Sequence, residues 1–173
     1  RDISKAFPVP GTSNPEDDAY QRLLHGKFAS YGLPITGLVN RPTVLTLEDI
    51  KRLPSRSQIT CHRCEMGWSA IAQWTGAPLS RVLEAAGGLK PEARYVLFEC
   101  FDSHWYDSLD LFDVFHPQTI LAYGMNGRDL PVRYGASLRL WVERHYGWKN
   151  TKFIRSIQVL SSVSHIRGGK GSF

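Results

Sequence analysis

The fold and the chemistry of this chain are both decided by the stretch CHRCEMGWS, residues 61–69. Two of the three cysteines, Cys61 and Cys64, lie in it, and the third is Cys100. An odd and small number of cysteines rules out a disulfide scaffold and leaves at least one thiol unpaired. The residues from Ser57 to Arg63 have the composition of a β-strand. The sequence therefore places two thiols at the end of a predicted strand.

The spacing of Cys61 and Cys64 has three interpretations that need no family likeness. A Cys-x2-Cys pair supplies half of a tetrahedral zinc site, for which the further ligands would be recruited through folding from His62, Cys100 and His104. The pair can also be a thiol-disulfide redox centre, although that motif is expected at a helix N-terminus in a βαβ unit, which this neighbourhood lacks. In the third interpretation the cysteines are small buried residues without chemistry.

Predicted strands outnumber predicted helices along the chain. Short helices are expected at residues 20–24, after the capping box that begins at Thr46, from Pro78, and after Asp110. Strands are expected at residues 33–39, 57–63, 95–100, 120–123, 138–142 and 153–160. Because the helices interrupt the strands without regular βαβ alternation, the predicted fold class is α+β, dominated by sheet. Residues 1–30 are predicted to form an irregular N-terminal arm, 31–162 the domain, and 163–173 a loose tail.

A series of short motifs follows the cysteine stretch in a fixed order. It comprises CEMGWS at 64–69, WTGAPL at 74–79, ECFD at 99–102, WYDSLD at 105–110, HPQT at 116–119, GASLRL at 135–140 and YGWKNTK at 146–152. The series resembles the molybdopterin-binding catalytic domain of the sulfite oxidase family, over about residues 33–159. The resemblance implies the sheet-rich fold of that family and, from the short chain, its compact bacterial branch of oxidoreductases.

The resemblance also implies roles for individual residues. Cys64 corresponds to the one protein thiolate that binds molybdenum, and soft sulfur ligands suit this metal. Asp102 and Tyr106 are expected in the catalytic site, at the substrate entrance. The residues expected to hold the cofactor and its phosphate are Arg63, Cys100, Tyr134, Arg139, Asn150, Thr151 and Lys152. Tyr134 and Cys100 replace the residues usual in the family, and residues 1–30 contain no match to its N-terminal cofactor contact.

The function implied by the resemblance is oxygen-atom transfer by a molybdenum-dependent oxidoreductase, in sulfite-type oxidation or in S-oxide or N-oxide reduction. Its cofactor would be molybdopterin, a pyranopterin dithiolene, in the form without an appended nucleotide. A small-molecule substrate and a separate electron-transfer protein, a cytochrome or a membrane haem subunit, are expected, since no Cys-x-x-Cys-His haem attachment motif is present. The alternatives are a zinc-binding or thiol-disulfide protein and a binding module of the same fold without cofactor.

Composition excludes several other classes of protein. With 173 residues the chain has the length of one domain. A net charge of +5 permits an anionic ligand but does not indicate nucleic acid binding. No run of about 18 apolar residues predicts a membrane span. Because many relatives are exported and the sequence begins at Arg1, we expect a periplasmic protein whose leader has been removed.

Overall fold

Two five-stranded sheets with short helices between their strands make up the structure, a computed structural model that describes residues 2–102 and 105–172. The strands are β1 (Gly32–Gly37), β2 (Thr43–Thr46), β3 (Arg56–Arg63), β4 (Ser69–Pro78), β5 (Tyr95–Cys100), β6 (Tyr106–Asp110), β7 (Thr119–Met125), β8 (Arg128–Asp129), β9 (Arg139–Val142) and β10 (Ile154–Leu160). The α-helices are α1 (Asp18–His25), α2 (Leu47–Arg52), α3 (Leu79–Ala85) and α4 (Leu111–Val114), and single 3-10 turns cover Val132–Tyr134, Gly147–Lys149 and Arg167–Gly169. The predicted α+β class is confirmed.

The chain passes from one sheet to the other four times, and the last passage lies between β9 and β10. The first sheet has the order β2-β1-β10-β5-β6, in which β1 and β10 run parallel and the other pairs antiparallel. The second sheet has the antiparallel order β3-β4-β7-β8, and β9 also pairs with β7. The crossing segment, residues 143–153, is held to the end of β9 by a hydrogen bond from Leu140 N–H to the carbonyl of Thr151. It therefore lies where the sheets meet.

Local sequence signals explain the three helices that follow capping residues. The Thr46 side chain accepts from Asp49 N–H and the Asp49 carboxylate accepts from Thr46 N–H, which is a complete capping box before α2. Asp110 caps α4 by accepting from Asp113 N–H, and Pro78 stands directly before α3. These helices therefore begin where the sequence predicts.

The longest strand, β4, was not among the predicted strands. Its buried positions before the bulge are Ala70, Ala72 and Trp74, and two alanines give little hydrophobic contrast with the intervening residues. Gly76 then lies so close to β7 that a Cβ there would meet the carbonyl oxygen of Leu121 at 2.1 Å. Glycine is therefore required at the bulge between β4 and β7. In a sequence, however, a glycine at such a position argues against a strand. The short strands β2, β6 and β8 were also missed.

The buried apolar side chains form two large clusters. The main cluster joins the facing sides of the two sheets with α3, and it includes Leu33, Phe98 and Leu140. The second cluster lies on the other side of the second sheet, where Trp74 and Trp141 stack with ring centroids 4.1 Å apart. The second cluster borders the candidate site described below.

The N-terminal arm is anchored at several points. Ser4 N–H donates to the carbonyl of Ile71 at 2.9 Å, and the Phe7 ring packs into the second cluster. Farther along, α1 buries Tyr20, whose hydroxyl donates to the carbonyl of Ala136. The arm has no regular secondary structure before α1, and it is docked against both the second cluster and the main one.

Candidate functional site

A cavity of about 240 Å³ opens where the arm, the turn between β3 and β4, the end of β5 and the crossing segment meet. Its lining consists of Pro10, Gly11, Thr12, Cys64, Glu65, Met66, Asp102, Trp105, Arg139, Gly147, Trp148, Asn150, Thr151, Lys152 and Phe153. Six of the residues predicted for the site from sequence are in this lining: Cys64, Asp102, Arg139, Asn150, Thr151 and Lys152. They come from four separate parts of the chain, so the fold has brought them together.

Cys64 presents its thiol to the cavity from a tight turn. Its N–H donates to the carbonyl of Trp68 at 2.9 Å, and its carbonyl accepts from Gly67 N–H at 3.0 Å. Gly67 has φ +89°, a backbone conformation that favours glycine, so the GW step of the motif shapes the turn. Cys64 is unpaired and only 7% exposed. The turn therefore fixes a single shielded thiol at the cavity wall.

Cys61 belongs to a different cleft. It lies on β3 and lines a polar cleft of about 400 Å³ together with Arg63, Glu143, Arg144, His145 and Tyr146. Within residues 2–102 and 105–172, no group of three or more His, Cys, Asp or Glu side chains is arranged to hold a metal ion. His104, a candidate zinc ligand in the sequence, lies outside the described residues. The described geometry therefore does not assemble the zinc site that the Cys-x2-Cys spacing permits.

Arg139 is a buried cation at the bottom of the cavity. It is 1% exposed, and its guanidinium lies over the rings of Trp74 and Trp141, at 5.1 and 5.4 Å from their centroids. One terminal nitrogen donates to the carbonyl of Tyr134 at 3.1 Å, whereas Nε has no partner among the described residues. Burial lowers the pKa of Arg139 to about 9. Because an isolated buried charge is costly, this guanidinium points to a bound anion.

Lys152 is a second cation of the cavity, and it faces the arm. Its Nζ donates to the carbonyls of Pro10 at 2.5 Å, of Thr12, and of Arg133 at 3.1 Å. Burial and the neighbouring Arg139 lower the pKa of Lys152 to about 7. Lys152 therefore links the arm to the cavity. The protonation of its ammonium group depends on burial and on the neighbouring charges.

Asn150 and Thr151 place two more polar groups beside these cations. The Asn150 amide oxygen accepts from Val142 N–H at 2.6 Å, which leaves its amide nitrogen as the remaining donor. The Thr151 hydroxyl is buried and has no partner among the described residues. Buried polar groups are normally hydrogen-bonded, so an unpaired hydroxyl next to Arg139 and Lys152 also indicates a ligand.

Four residues predicted for the site lie outside the cavity lining. Tyr106 packs in a small apolar cluster under the guanidinium of Arg167, 4.0 Å from its ring centroid. Cys100 is buried, and burial raises its pKa. The Tyr134 hydroxyl donates to the carbonyl of Phe7 at 2.6 Å, and Arg63 lines the polar cleft of Cys61. A direct role for these four residues in binding or catalysis stays a prediction.

No motif in the sequence predicts the part that the arm plays in the cavity. Pro10, Gly11 and Thr12 form one wall, and the Thr12 hydroxyl donates to Oδ2 of Asp102 at 2.5 Å. These arm residues have no secondary structure and match no motif, so only the three-dimensional contacts reveal them. The Thr12 hydrogen bond fixes the Asp102 carboxylate at the cavity.

His62 was also missed as a neighbour of the site. Its imidazole is 1% exposed and stacks on Trp68 with centroids 5.0 Å apart, and both ring nitrogens lack partners among the described residues. Burial and the nearby Arg139 lower the pKa of His62 to about 3. A Cβ on Gly147 would lie 2.6 Å from Nε2 of His62, so the cavity wall at Gly147 requires glycine.

The donor set of the cavity fits a phosphate-bearing cofactor that carries a thiophilic metal. Cys64 offers one soft sulfur ligand, the kind of donor that suits molybdenum. Arg139, Lys152 and the Thr151 hydroxyl offer two positive charges and an unpaired donor to a phosphate. Molybdopterin combines both chemical features. The residues present therefore fit the cofactor that the sequence motifs imply.

Comparison with known proteins agrees with this chemistry. A family model described as the oxidoreductase molybdopterin binding domain matches residues 22–166. The putative protein-methionine-sulfoxide reductase subunit YedZ1 of Azospira oryzae is 39% identical over 155 residues, which are 90% of this chain and 57% of that protein. The protein-methionine-sulfoxide reductase catalytic subunit MsrP of Campylobacter jejuni is 32% identical over 147 residues, 75% of this chain and 48% of that protein. The chain thus spans about half the length of these two relatives.

Two further likenesses extend the comparison. The uncharacterized oxidoreductase YuiH of Bacillus subtilis is 31% identical over 159 residues, 91% of this chain and 76% of that protein. The crystal structure of the sulfane dehydrogenase SoxCD from Paracoccus pantotrophus superimposes with a TM-score of 0.71 at 27% identity, over 76% of this chain and 38% of that chain. The sulfite-oxidase-type fold expected from the motifs is thereby confirmed.

Proposed function

Because the chain belongs to the oxidoreductase molybdopterin-binding domain family, we propose that it reduces sulfoxides with a molybdenum cofactor held in the cavity of Cys64 and Arg139. The observation that carries this proposal is the juxtaposition of a shielded thiol with a buried guanidinium that has an unpaired Nε. The names of the relatives YedZ1 and MsrP support reduction of an S-oxide over sulfite-type oxidation.

Residues of the chain have separate tasks at the site. Cys64 would supply the protein thiolate to molybdenum, in the role that the motif CEMGWS predicts. Arg139 Nε and the Thr151 hydroxyl, which lack partners among the described residues, would donate to the phosphate of the pterin, and the charge of Lys152 would attract it. When bound, the cofactor supplies a metal centre that exchanges an oxygen atom together with two electrons.

The substrate would approach through the mouth of the cavity, between the arm and the turn after Cys64. Met66, Trp105 and Trp148 line the cavity with apolar surface that suits the alkyl groups of a sulfoxide. In the net reaction, the sulfur-oxygen bond of the sulfoxide breaks, two electrons and two protons are consumed, and a sulfide and one water molecule are released. The protein must orient the sulfoxide oxygen toward the metal position at Cys64.

The two electrons require a donor protein, and we propose a separate cytochrome or membrane haem subunit. No helix in the described part of the chain is both long and apolar enough to cross a membrane. A periplasmic location stays a prediction.

The proposal is tested with the purified chain expressed in a host that synthesises molybdopterin. We expect about one molybdenum per chain by elemental mass spectrometry, and reduction of methyl sulfoxides with reduced benzyl viologen as the electron donor. Replacing Cys64 by Ser removes the soft ligand, and we expect turnover to fall by about 100-fold or more. Cys61→Ser is the matched control, since Cys61 lies in the other cleft.

Two results would contradict the proposal. One is well-folded wild-type protein that contains no molybdenum under cofactor supply. The other is a Cys61→Ser variant that loses molybdenum as completely as Cys64→Ser. Both thiols of the Cys-x2-Cys motif would then be needed for the metal, whereas the proposal assigns it to Cys64 alone. Sulfite oxidation without sulfoxide reduction would keep the cofactor assignment and reverse the direction of the reaction.

A further inference from the structure

We propose that Asp102, held in place by Thr12, selects substrates by charge, so that the site accepts neutral and positively charged sulfoxides and disfavours anionic ones. This inference rests on the proposed function, since it concerns the substrate of the same cavity. It assigns a specificity role to one carboxylate and to one hydroxyl of the arm. It also names the substrate class, an uncharged or cationic S-oxide with apolar substituents.

Among the described residues that line the cavity, two side chains are positively charged and two are negatively charged. The cations are Arg139 and Lys152, and the carboxylates are Glu65 and Asp102. Arg139 is almost completely buried, whereas Glu65 is exposed and Asp102 is half-buried. Arg139 therefore lies deep, Lys152 and Asp102 are both half-buried, and Glu65 lies nearest to the solvent.

The cofactor phosphate would use up the positive charge. A phosphate monoester carries about −1.5 to −2 charges near pH 7, and the Arg139 and Lys152 side chains together supply a comparable positive charge. Among the described lining residues, no other Lys or Arg side chain then remains for an anionic substrate. An incoming sulfonate, sulfite or carboxylate would instead meet the carboxylates of Asp102 and Glu65. A neutral sulfoxide has no such penalty.

Of the two carboxylates, Asp102 is better placed to discriminate between charged substrates, because a hydrogen bond fixes its position. The Thr12 hydroxyl donates to its Oδ2 at 2.5 Å, and Thr12 is held in turn because its carbonyl accepts from Lys152 Nζ. The carboxylate also acts across the cavity, since it opposes the lowering of the Lys152 pKa by burial. A fixed charge of this kind contributes to selectivity, whereas an exposed flexible one is screened by water and salt.

The remaining surface of the mouth is apolar. Met66 is 78% exposed and Trp148 is 36% exposed, although both are large hydrophobic side chains. Together with Trp105 they line the same cavity as Asp102. Apolar contacts on one side and a fixed negative charge on the other suit a sulfoxide with alkyl groups, with or without a cationic substituent.

The test compares three sulfoxides of different charge on the molybdenum-loaded enzyme. Dimethyl sulfoxide is the neutral substrate, methylsulfinylacetate the anionic one, and an aminoethyl methyl sulfoxide the cationic one. The measured quantities are kcat and KM with reduced benzyl viologen, the molybdenum content of each preparation, and the dissociation constants of the three corresponding sulfones from tryptophan fluorescence. The sulfones report binding without turnover.

Asp102→Asn removes the charge and keeps the shape. One unit charge about 8 Å away in a partly hydrated site changes an equilibrium by about fivefold. We therefore expect the variant to bind the anionic sulfone about fivefold more tightly and the cationic one about fivefold more weakly. The ratio of kcat/KM for cationic over anionic sulfoxide should then fall by about 25-fold, carried mainly by KM. Adding salt should reduce the wild-type ratio.

Three further variants separate charge selection from a merely structural effect. Thr12→Val removes the hydrogen bond that fixes Asp102 and should give a smaller fall in the same ratio, whereas Thr12→Ser should restore it. Asp129→Asn makes the same change of net charge at a 91% exposed carboxylate outside the cavity lining, and it should leave the ratio unchanged.

The outcomes distinguish this inference from the proposed function. If no sulfoxide is reduced by molybdenum-loaded protein, the proposed function fails and this inference fails with it. If sulfoxides are reduced but the anionic one is preferred, or if Asp102→Asn leaves the ratio of cationic over anionic substrate unchanged, only the charge selection by Asp102 is overturned.

Discussion

Strand β9 is buried on both sides, and its two sides differ in chemistry. Leu140 and Val142 belong to the main cluster between the sheets, which is built from apolar side chains. Arg139 and Trp141 point to the other side, where the guanidinium lies over two indole rings. The first region, on the side of Leu140 and Val142, is the main cluster, which stabilises the fold. The second region, on the side of Arg139 and Trp141, is the second cluster with the cavity beside it, where we propose that the cofactor binds.

Unpartnered polar atoms mark the second region. Within the described residues, the buried side-chain nitrogen and oxygen atoms without a hydrogen-bond partner belong to Thr60, His62, Trp74, Arg139 and Thr151. Each of these residues comes from β3, β4, β9 or the crossing segment, and none from a strand of the first sheet. Such groups are costly in a core that serves stability alone. A bound ligand would offset this cost in the second region.

The largest expected effect on stability comes from the main cluster. Phe98 on β5 is fully buried there, and Phe98→Ala should lower the free energy of unfolding by about 3–5 kcal/mol through lost burial and a cavity. Urea denaturation of the cofactor-free protein measures this loss. A cost below about 1 kcal/mol would contradict the assignment of the stabilising core to this region.

Arg139→Met should act in the opposite direction on stability. Methionine is shorter than arginine but fills the aliphatic part of the site, and the substitution removes a buried charge that has no anionic partner among the described residues, so the cofactor-free protein should be more stable by about 1 kcal/mol or more. Cofactor binding should nevertheless weaken by about 2–5 kcal/mol, because the anion loses its deepest cation. Urea denaturation of the cofactor-free form and molybdenum content of the loaded form measure the two effects.

Arg81→Met is the control for this comparison. Arg81 lies on α3, is half-exposed and pairs with Glu84 at 2.9 Å, so its removal should change stability by less than about 1 kcal/mol and leave the cofactor in place. An Arg139→Met variant that is destabilised while it retains its molybdenum would show that the guanidinium serves the fold and not a ligand.

The smallest expected effect is a pH dependence at Lys152. Its folded pKa of about 7 means that the ammonium loses its proton as the pH rises from 6 to 9. Binding of an anion needs the charged form, so sulfate should bind the cofactor-free protein about fivefold more weakly at pH 8 than at pH 6. Isothermal titration calorimetry follows the affinity, and sulfate keeps its own charge across this range.

Lys152→Met removes the titrating group, and its sulfate affinity should be weak and nearly constant between pH 6 and 8, a range in which Arg139, with a pKa of about 9, stays mostly charged. A pH dependence that persists in Lys152→Met would assign the titration to another group.

Sequence reasoning succeeded where local signals decide the structure. The capping box at Thr46 and the aromatic and branched residues from Tyr95 to Cys100 specify α2 and β5 without help from tertiary contacts. The ordered motifs also predicted the family and six residues of the cavity lining, because Cys64 and Arg139 stand in short conspicuous contexts.

Sequence reasoning failed where a contact over a long separation decides the structure. Thr12 meets Asp102 across 90 positions, and nothing in the polar arm predicts that contact. His62 is buried like an apolar residue, although its imidazole is a common ligand group. The alternation of buried and exposed residues along β3 therefore cannot show whether His62 lies in the core or at the edge of a site. Tyr106, expected near the substrate, faces an apolar cluster, because the missed strand β6 fixes the direction of its side chain.

The central claim is that the second region binds a molybdenum cofactor between Cys64 and Arg139. Crystals of the loaded protein, measured on both sides of the molybdenum absorption edge, test it most directly. We predict an anomalous peak at bonding distance from Cys64 Sγ, and phosphate density in contact with Arg139 Nε and the Thr151 hydroxyl. A metal bound by Cys61 and Cys64 together, or a phosphate remote from Arg139, would contradict the account.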